Sequence, residues 1–306
     1  MSVFARTFWT GPDELVFLAT TGEYVWDGEL RKPVLHVTSW DVRTNAIARH
    51  APADVGLCYD RGRIAYRENE HLTKRVWTSL GHHPGPIVRE EREIRYDEQM
   101  SCMPLEALPP VPSRDAGHEF VRLLPEHGFI DFGPARTSLY NTPVLHVPGS
   151  VSGIELPFPR REIERGTISY FPFKGAYFIQ SRYFDVARGE ATPWPAELPR
   201  PIWWLYPDGK VERVLLPPAE WMRGRIFPTR SGLLVVYNNP PIGPGKEESY
   251  GIFLIDGAHG QRLSRGVFLG GAVSPGGCRF ASPRVRNPGP QHQWILTVFE
   301  LCEEPR

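Results

Sequence analysis

The sequence predicts an all-β fold, and three observations carry that expectation. Twenty-nine glycines and thirty-two prolines interrupt the apolar runs every few residues, a punctuation that suits short strands and excludes long helices. No apolar stripe of helical period extends beyond about a dozen residues. A tight turn followed by alternating apolar residues recurs along the chain, most clearly in AVSPGGCRFAS at 272–282. A chain of 306 residues has room for two ordinary domains or for one closed β-rich body.

The repeat decides between these. Beside SPGGCRFAS stand GPDELVFLA (11–19), YDRGRIAYR (59–67), LPEHGFIDFG (124–133), FPFKGAYFIQ (171–180) and FPTRSGLLVVY (227–237). Their marker residues Pro12, Asp60, Pro125, Pro172, Pro228 and Pro275 are about 47 residues apart, or about 55–65 where a loop is inserted, which is the interval of propeller blades. Each interval holds a second hairpin, as in VLHVTSWDVRTNAIAR (34–49), WWLYPDGKVERVLL (203–216) and GIFLIDGAHGQRLS (251–264). Two hairpins make four strands, and four antiparallel strands make one blade. The expected architecture is a single six-bladed β-propeller domain over 1–306, with blades at 3–50, 54–96, 119–158, 167–217, 223–268 and 270–302. QWILTVFELC (293–302) supplies a third strand to the last blade. Pairing of the N- and C-terminal strands is expected to close the ring, because an open one exposes an unpaired edge. SVFARTFW fits that place or the first strand of the first blade.

Ser274-Pro275-Gly276-Gly277, followed by Arg279-Phe280-Ala281, resembles the S-P-D-G-x-x-L/I-A-F/Y signature of TolB-like and related WD40-like propellers. Gly276 stands where that signature has aspartate, and the other five units match it less closely. The resemblance implies the propeller fold, a scaffold that carries enzymes and binding proteins alike.

Charge and cysteine usage narrow the function. Thirty-five basic residues balance thirty-five acidic ones without a basic cluster, so binding to nucleic acid is not expected. The start, MSVFARTFWTGPDELVF, lacks a basic segment leading into an apolar core. No stretch approaches the roughly 20 apolar residues of a membrane span. A soluble, cytoplasmic protein without a membrane partner is expected. Cys58, Cys102, Cys278 and Cys302 are widely spaced and read as reduced thiols in or near the core, with a disulfide between distant strands as the alternative.

Loop length then locates a candidate surface. Connections between first and second strands, and between third and fourth, are short. Those on the other side are long: TTGEYVWDGELRK (20–32), GPARTSLYNTP (133–143), SRYFDVARGEATPWPAELPR (181–200), NNPPIGPGKEES (238–249), PRVRNPGPQH (283–292) and the excursion from Asp97 to His118. Long, proline-stiffened loops are where such a scaffold carries function. In them Tyr24, Trp26, Arg136, Tyr140, Arg182, Tyr183, Trp194, Arg284 and Arg286 are of the residue types that anchor interfaces. Trp194, between two prolines, either meets a partner or covers the underside of its own loop. Trp203-Trp204 lies in a strand and is expected to pack between blades.

Searches for catalytic signatures give little. No zinc-protease, Walker, nucleophile-elbow or dinucleotide motif occurs. His82-His83 precedes Pro-Gly-Pro and reads as an exposed turn, while His36 and His146 share the context P-V-L-H-V and read as packing. Asp131, Asp185 and Asn238 follow second strands and are the candidates for an axial metal. Residues 113–120 resemble the sialidase Asp-box, here in a single copy, and 109–114 fit an SH3-ligand pattern that proline-rich linkers readily produce. REEREIRYDE (89–98) reads as a solvated blade edge. No cofactor, metal or catalytic residue is assigned. The sequence predicts a non-catalytic scaffold or inhibitor that binds another protein through the long-loop face. The alternative is a sugar or lactone hydrolase acting at the axial funnel.

Overall fold

The computed structural model describes residues 7–27, 30–53, 57–60, 63–67, 74–78, 88–91, 118–134, 142–158, 163, 168–185, 190–192, 194–237, 250–256, 259–268, 270–285 and 294–302. The first sheet is a meander of β1 (Thr7–Trp9), β2 (Glu14–Asp27), β3 (Leu30–Asp41) and β4 (Ala46–Ala53). The second joins β5 (Leu57–Asp60), β6 (Arg63–Arg67), β7 (Lys74–Thr78) and β8 (Val88–Glu91). The third joins β9 (His118–Arg122), β10 (Phe129–Pro134), β11 (Val144–His146) and β12 (Ile154–Glu155). The fourth pairs β13 (Ser169–Phe171) and β14 (Ala176–Gln180), passes through a small ribbon of β15 (Tyr183–Asp185) and β16 (Glu190–Thr192), and ends with β17 (Arg200–Leu205) and β18 (Val211–Leu216). A 3₁₀ turn, Glu220–Arg223, leads to the fifth: β19 (Arg225–Thr229), β20 (Gly232–Tyr237), β21 (Gly251–Asp256) and β22 (His259–Arg265). The sixth has three strands among the described residues, β23 (Ala272–Val273), β24 (Arg279–Val285) and β25 (Trp294–Glu300).

Successive four-stranded antiparallel meanders, with no α-helix among the described residues, are the blades of a β-propeller. The turns show why the repeated motif works. Ser274 Oγ accepts from the Arg279 N–H at 3.0 Å, and the Gly277 N–H donates to the Ser274 carbonyl at 2.8 Å. Gly277 sits at φ 77°, a conformation that side-chain-bearing residues rarely adopt. In the third sheet, Gly128 sits at φ 86°, where a Cβ would run into the His146 carbonyl.

The chain divides into two compact units. One comprises 1–103, 229–231 and 264–306, the other 104–228 and 232–263. In the second unit the third and fourth sheets share a core of Ile130, Phe132, Leu145, Phe158, Tyr177, Ile179 and Trp203. Adjacent residues of a strand face opposite sides. Trp203 therefore joins that core, while Trp204 packs on the far face against Phe178 at 5.3 Å and Phe171 at 6.1 Å. Tyr177 brings a polar handle into the seam: its hydroxyl accepts from the Leu124 N–H at 2.8 Å and lies 2.9 Å from His127 Nδ1. Burial pushes the phenol above its ordinary range. His146, on the third strand of its sheet, stacks on Phe129 at 4.7 Å.

In the first unit the sheets at the two ends of the described chain meet. Trp9, Leu15 and Ala281 form a buried cluster with Trp40, Val42 and Leu296, and Trp9 Nε1 donates to the Ala272 carbonyl at 3.0 Å. Arg279 grips both sheets: Nε donates to both carboxylate oxygens of Glu300, and Nη1 to the Pro12 carbonyl and the Asp13 carboxylate. The closure expected from a shared strand is not made by Thr7–Trp9. These residues pair with Leu15–Phe17 as the first strand of the first sheet, and the contact with the last sheet runs through side chains.

The reading of Cys278 and Cys302 as free thiols is corrected, because they form a disulfide. Arg279 pairs with Glu300 across β24 and β25, and the Leu301 N–H donates to the Cys278 carbonyl at 2.8 Å. Antiparallel register thus brings together two cysteines that are 24 residues apart in sequence. Cys58 is in β5 and Cys102 lies outside the described residues.

Replacing Tyr177 with phenylalanine takes the hydroxyl partner from the Leu124 N–H and the His127 ring in a part-buried seam. The expected loss of stability is about 1–3 kcal/mol, read as a lower urea midpoint at unchanged slope.

Candidate functional site

Two of the connections expected to be long loops are β-ribbons. In TTGEYVWDGELRK, the ladder of β2 and β3 shifts register between Thr20 and Tyr24 and then continues. Tyr24 pairs with Pro33, Val25 with Lys32, Trp26 with Arg31 and Asp27 with Leu30. β1 reaches only as far as Phe17 on this hairpin, and β4 only as far as Leu35. The pairs from Tyr24 to Asp27 therefore extend past the sheet as a two-stranded arm, flanked by no strand among the described residues, and roughly 10–13 Å long. Residues 20–23, which read as the start of a loop, form an irregularity in a continuing strand instead, and the β-forming run Tyr24-Val25-Trp26 resumes the ladder. Tyr24 and Trp26 occupy alternate register positions of this arm.

The segment 181–200 holds the second ribbon, in which Tyr183 pairs with Thr192 and Asp185 with Glu190. Tyr183, half-buried, meets Trp194 edge-on at 5.6 Å. Trp194 is only 9% exposed, and its indole N–H donates to the Leu198 carbonyl at 3.1 Å. It covers the underside of its own loop, with Tyr183 as its neighbour.

Arg200 holds the root of this ribbon. The side chain is 5% exposed, and burying a guanidinium is tolerable only when its donors are met. Nη1 donates to the carbonyls of Met222 at 2.6 Å and Gly224 at 2.8 Å, Nη2 to that of Ser181 at 2.8 Å, and Nε to Ser181 Oγ at 3.4 Å. Beside it, Gln180 Oε1 accepts from the Ile226 N–H at 2.6 Å. Arg200 thus ties the start of the 181–200 segment to its end, and both to the 3₁₀ turn that leads into the next sheet. No motif marks it in the sequence. Its trace is an arginine heading the otherwise apolar run R-P-I-W-W-L.

The remaining candidates are dispersed. Arg182 is half-buried beside Ser181. Arg284 pairs with Ile295 in the ladder of β24 and β25, and its guanidinium lies 5.7 Å above the Phe268 ring. Arg136, Tyr140 and Arg286 lie outside the described residues, as do Asn238, His82-His83 and the SH3-ligand pattern. Asp131 Oδ1 accepts from the Gly133 N–H at 2.6 Å. Among the described residues, no three His, Cys, Asp or Glu side chains converge as a metal centre requires, and no helix is long and apolar enough to cross a membrane.

No protein-family model and no curated protein matches the chain. Among solved structures it is similar to the β-propeller domain of the Trilobed protease from Pyrococcus furiosus, at 10% identity and TM-score 0.37, over 97% of this chain and 80% of that one. It is similar also to Kluyveromyces lactis Hsv2, at 11% identity and TM-score 0.36, over 99% and 75%. A putative 6-phosphogluconolactonase from Bacteroides uniformis aligns at 10% identity and TM-score 0.30, over 94% and 83%.

Replacing Arg200 with methionine leaves the carbonyls of Ser181, Met222 and Gly224 without these donors. The expected cost is about 3 kcal/mol or more, and Arg200→Lys recovers only part of it because an ammonium lacks the planar fork. Urea unfolding of the two variants beside the wild type reads both effects.

Proposed function

We propose that the chain is a non-catalytic β-propeller, one domain over 1–306, that binds another protein through the connections between its second and third strands. The carrying observation is that two of these connections are hydrogen-bonded ribbons, with Tyr24 and Trp26 in one and Tyr183 in the other. A backbone already ordered by its own ladder lowers the entropy cost of association. Aromatic residues supply large contact area with few rotatable bonds, which is why they dominate binding hot spots. In this reading Arg136, Arg182, Arg284, Arg286 and Tyr140 add polar contacts, and Trp194 acts from below as a support for Tyr183. Either an assembly scaffold or an inhibitor fits such a surface. The expectation of a cytoplasmic location drew on the start of the chain and on the lack of a membrane-length apolar stretch, whereas the Cys278–Cys302 disulfide favours an oxidising compartment.

The double substitution Tyr24→Ala/Trp26→Ala tests the proposal, since both residues lie past the last pairing of β1 and β4. With melting unchanged, affinity capture from the native host should recover the partner of the wild type at least about tenfold less well. Equal recovery removes the ribbon from the interface. One tightly held divalent ion per chain, together with ion-dependent hydrolysis of a lactone or glycoside, would replace this reading with that of a hydrolase.

A further inference from the structure

We propose that the Cys278–Cys302 disulfide is a redox clasp on the last strand, closed in oxidising surroundings and opened by dithiols. The bond stands at a junction of three segments. Cys278 ends the turn between β23 and β24, and Cys302 lies just beyond β25. The third segment is the turn at 229–231. There the Arg230 N–H donates to the Gly277 carbonyl at 2.9 Å, and Ser231 Oγ donates to the Leu301 carbonyl at 2.6 Å and lies 3.7 Å from Cys302 Sγ. The residues next to the two cysteines thus hold the 229–231 turn. Arg279, following Cys278, grips Glu300 and the Asp13 turn of the first sheet. One covalent bond therefore fixes the platform on which the last strand, the 229–231 turn and the first sheet are fastened together.

The chemistry is ordinary thiol–disulfide exchange. In closing, one cysteine thiolate displaces a thiol from a small-molecule disulfide. The second cysteine thiolate then attacks the mixed disulfide and releases the other thiol. Two protons pass from the cysteines to the two released thiols, and two electrons pass with them. In opening, a dithiol gives up two protons and two electrons, becomes a cyclic disulfide and leaves two cysteine thiols. Cytosolic thiols are ordinarily kept reduced, so a structural clasp of this kind belongs to an oxidising compartment.

The test uses the full chain, purified without reductant and equilibrated with oxidised glutathione. Alkylation before and after reduction, followed by peptide mapping, should show Cys278 and Cys302 in one cross-linked pair. Hydrogen exchange with and without dithiothreitol should then show the amides of Leu301 and Arg230 exchanging at least about tenfold faster once the bond is open. The double variant Cys278→Ser/Cys302→Ser should match the reduced protein at those amides with or without dithiothreitol, and should melt about 5 °C below the oxidised wild type. Both cysteines alkylating freely after oxidation overturns the proposal, as does exchange at Leu301 and Arg230 that ignores reduction. The wild-type comparison decides the matter even if the double variant does not fold.

Discussion

Every position of Ala176–Gln180 and Arg200–Leu205 is buried, and that single constraint organises the second unit. A pair of central strands without a solvent face must be covered on both sides, so large apolar side chains are needed at odd and even positions alike. Trp203 answers on one side with Phe158 and Phe132, and Trp204 on the other with Phe171 and Phe178. Polar groups within such strands survive only with internal partners. Gln180 and Arg200 obey that condition by bonding to the backbone that leads into the next sheet. What joins one sheet to another in this unit is therefore apolar seams plus a few fully engaged polar hooks.

The sheets could be read from the sequence because their signals are local. A turn such as Ser274-Pro275-Gly276-Gly277 is fixed by its own serine hydroxyl and a glycine at positive φ, and the alternation that follows states which residues form the strand. The features that escaped depend on register, which no local pattern carries. Whether residues 20–32 are loop or ladder turns on a partner strand, and one irregularity near Thr20 was enough to disguise the continuation. The disulfide is a neighbour relation between the end of β25 and the head of β24, visible only once those strands are aligned. Arg200 looks like any surface cation until the carbonyls around it are seen.

The candidate surface was legible in part for the same reason. Aromatic and arginine content in the connections could be counted, but their support could not. Trp194 had two readings in the sequence, and the structure adds what the sequence could not: its indole bonds to the Leu198 carbonyl and its ring meets Tyr183. The two ribbons also differ in how they are held. The one at 183–192 rises from a root closed by a buried guanidinium, whereas the one at 24–33 prolongs strands that already belong to the sheet.

That second arm has an evolutionary consequence. Past Leu35 its ladder answers to no other described strand, so a change in the length of the arm alters none of the pairings of β1 or β4. Selection is free to rewrite the arm in few steps while the framework drifts under a different rule, that of keeping seams filled. Kinship in such a lineage would persist in the beat of the turns long after letter-by-letter likeness had faded.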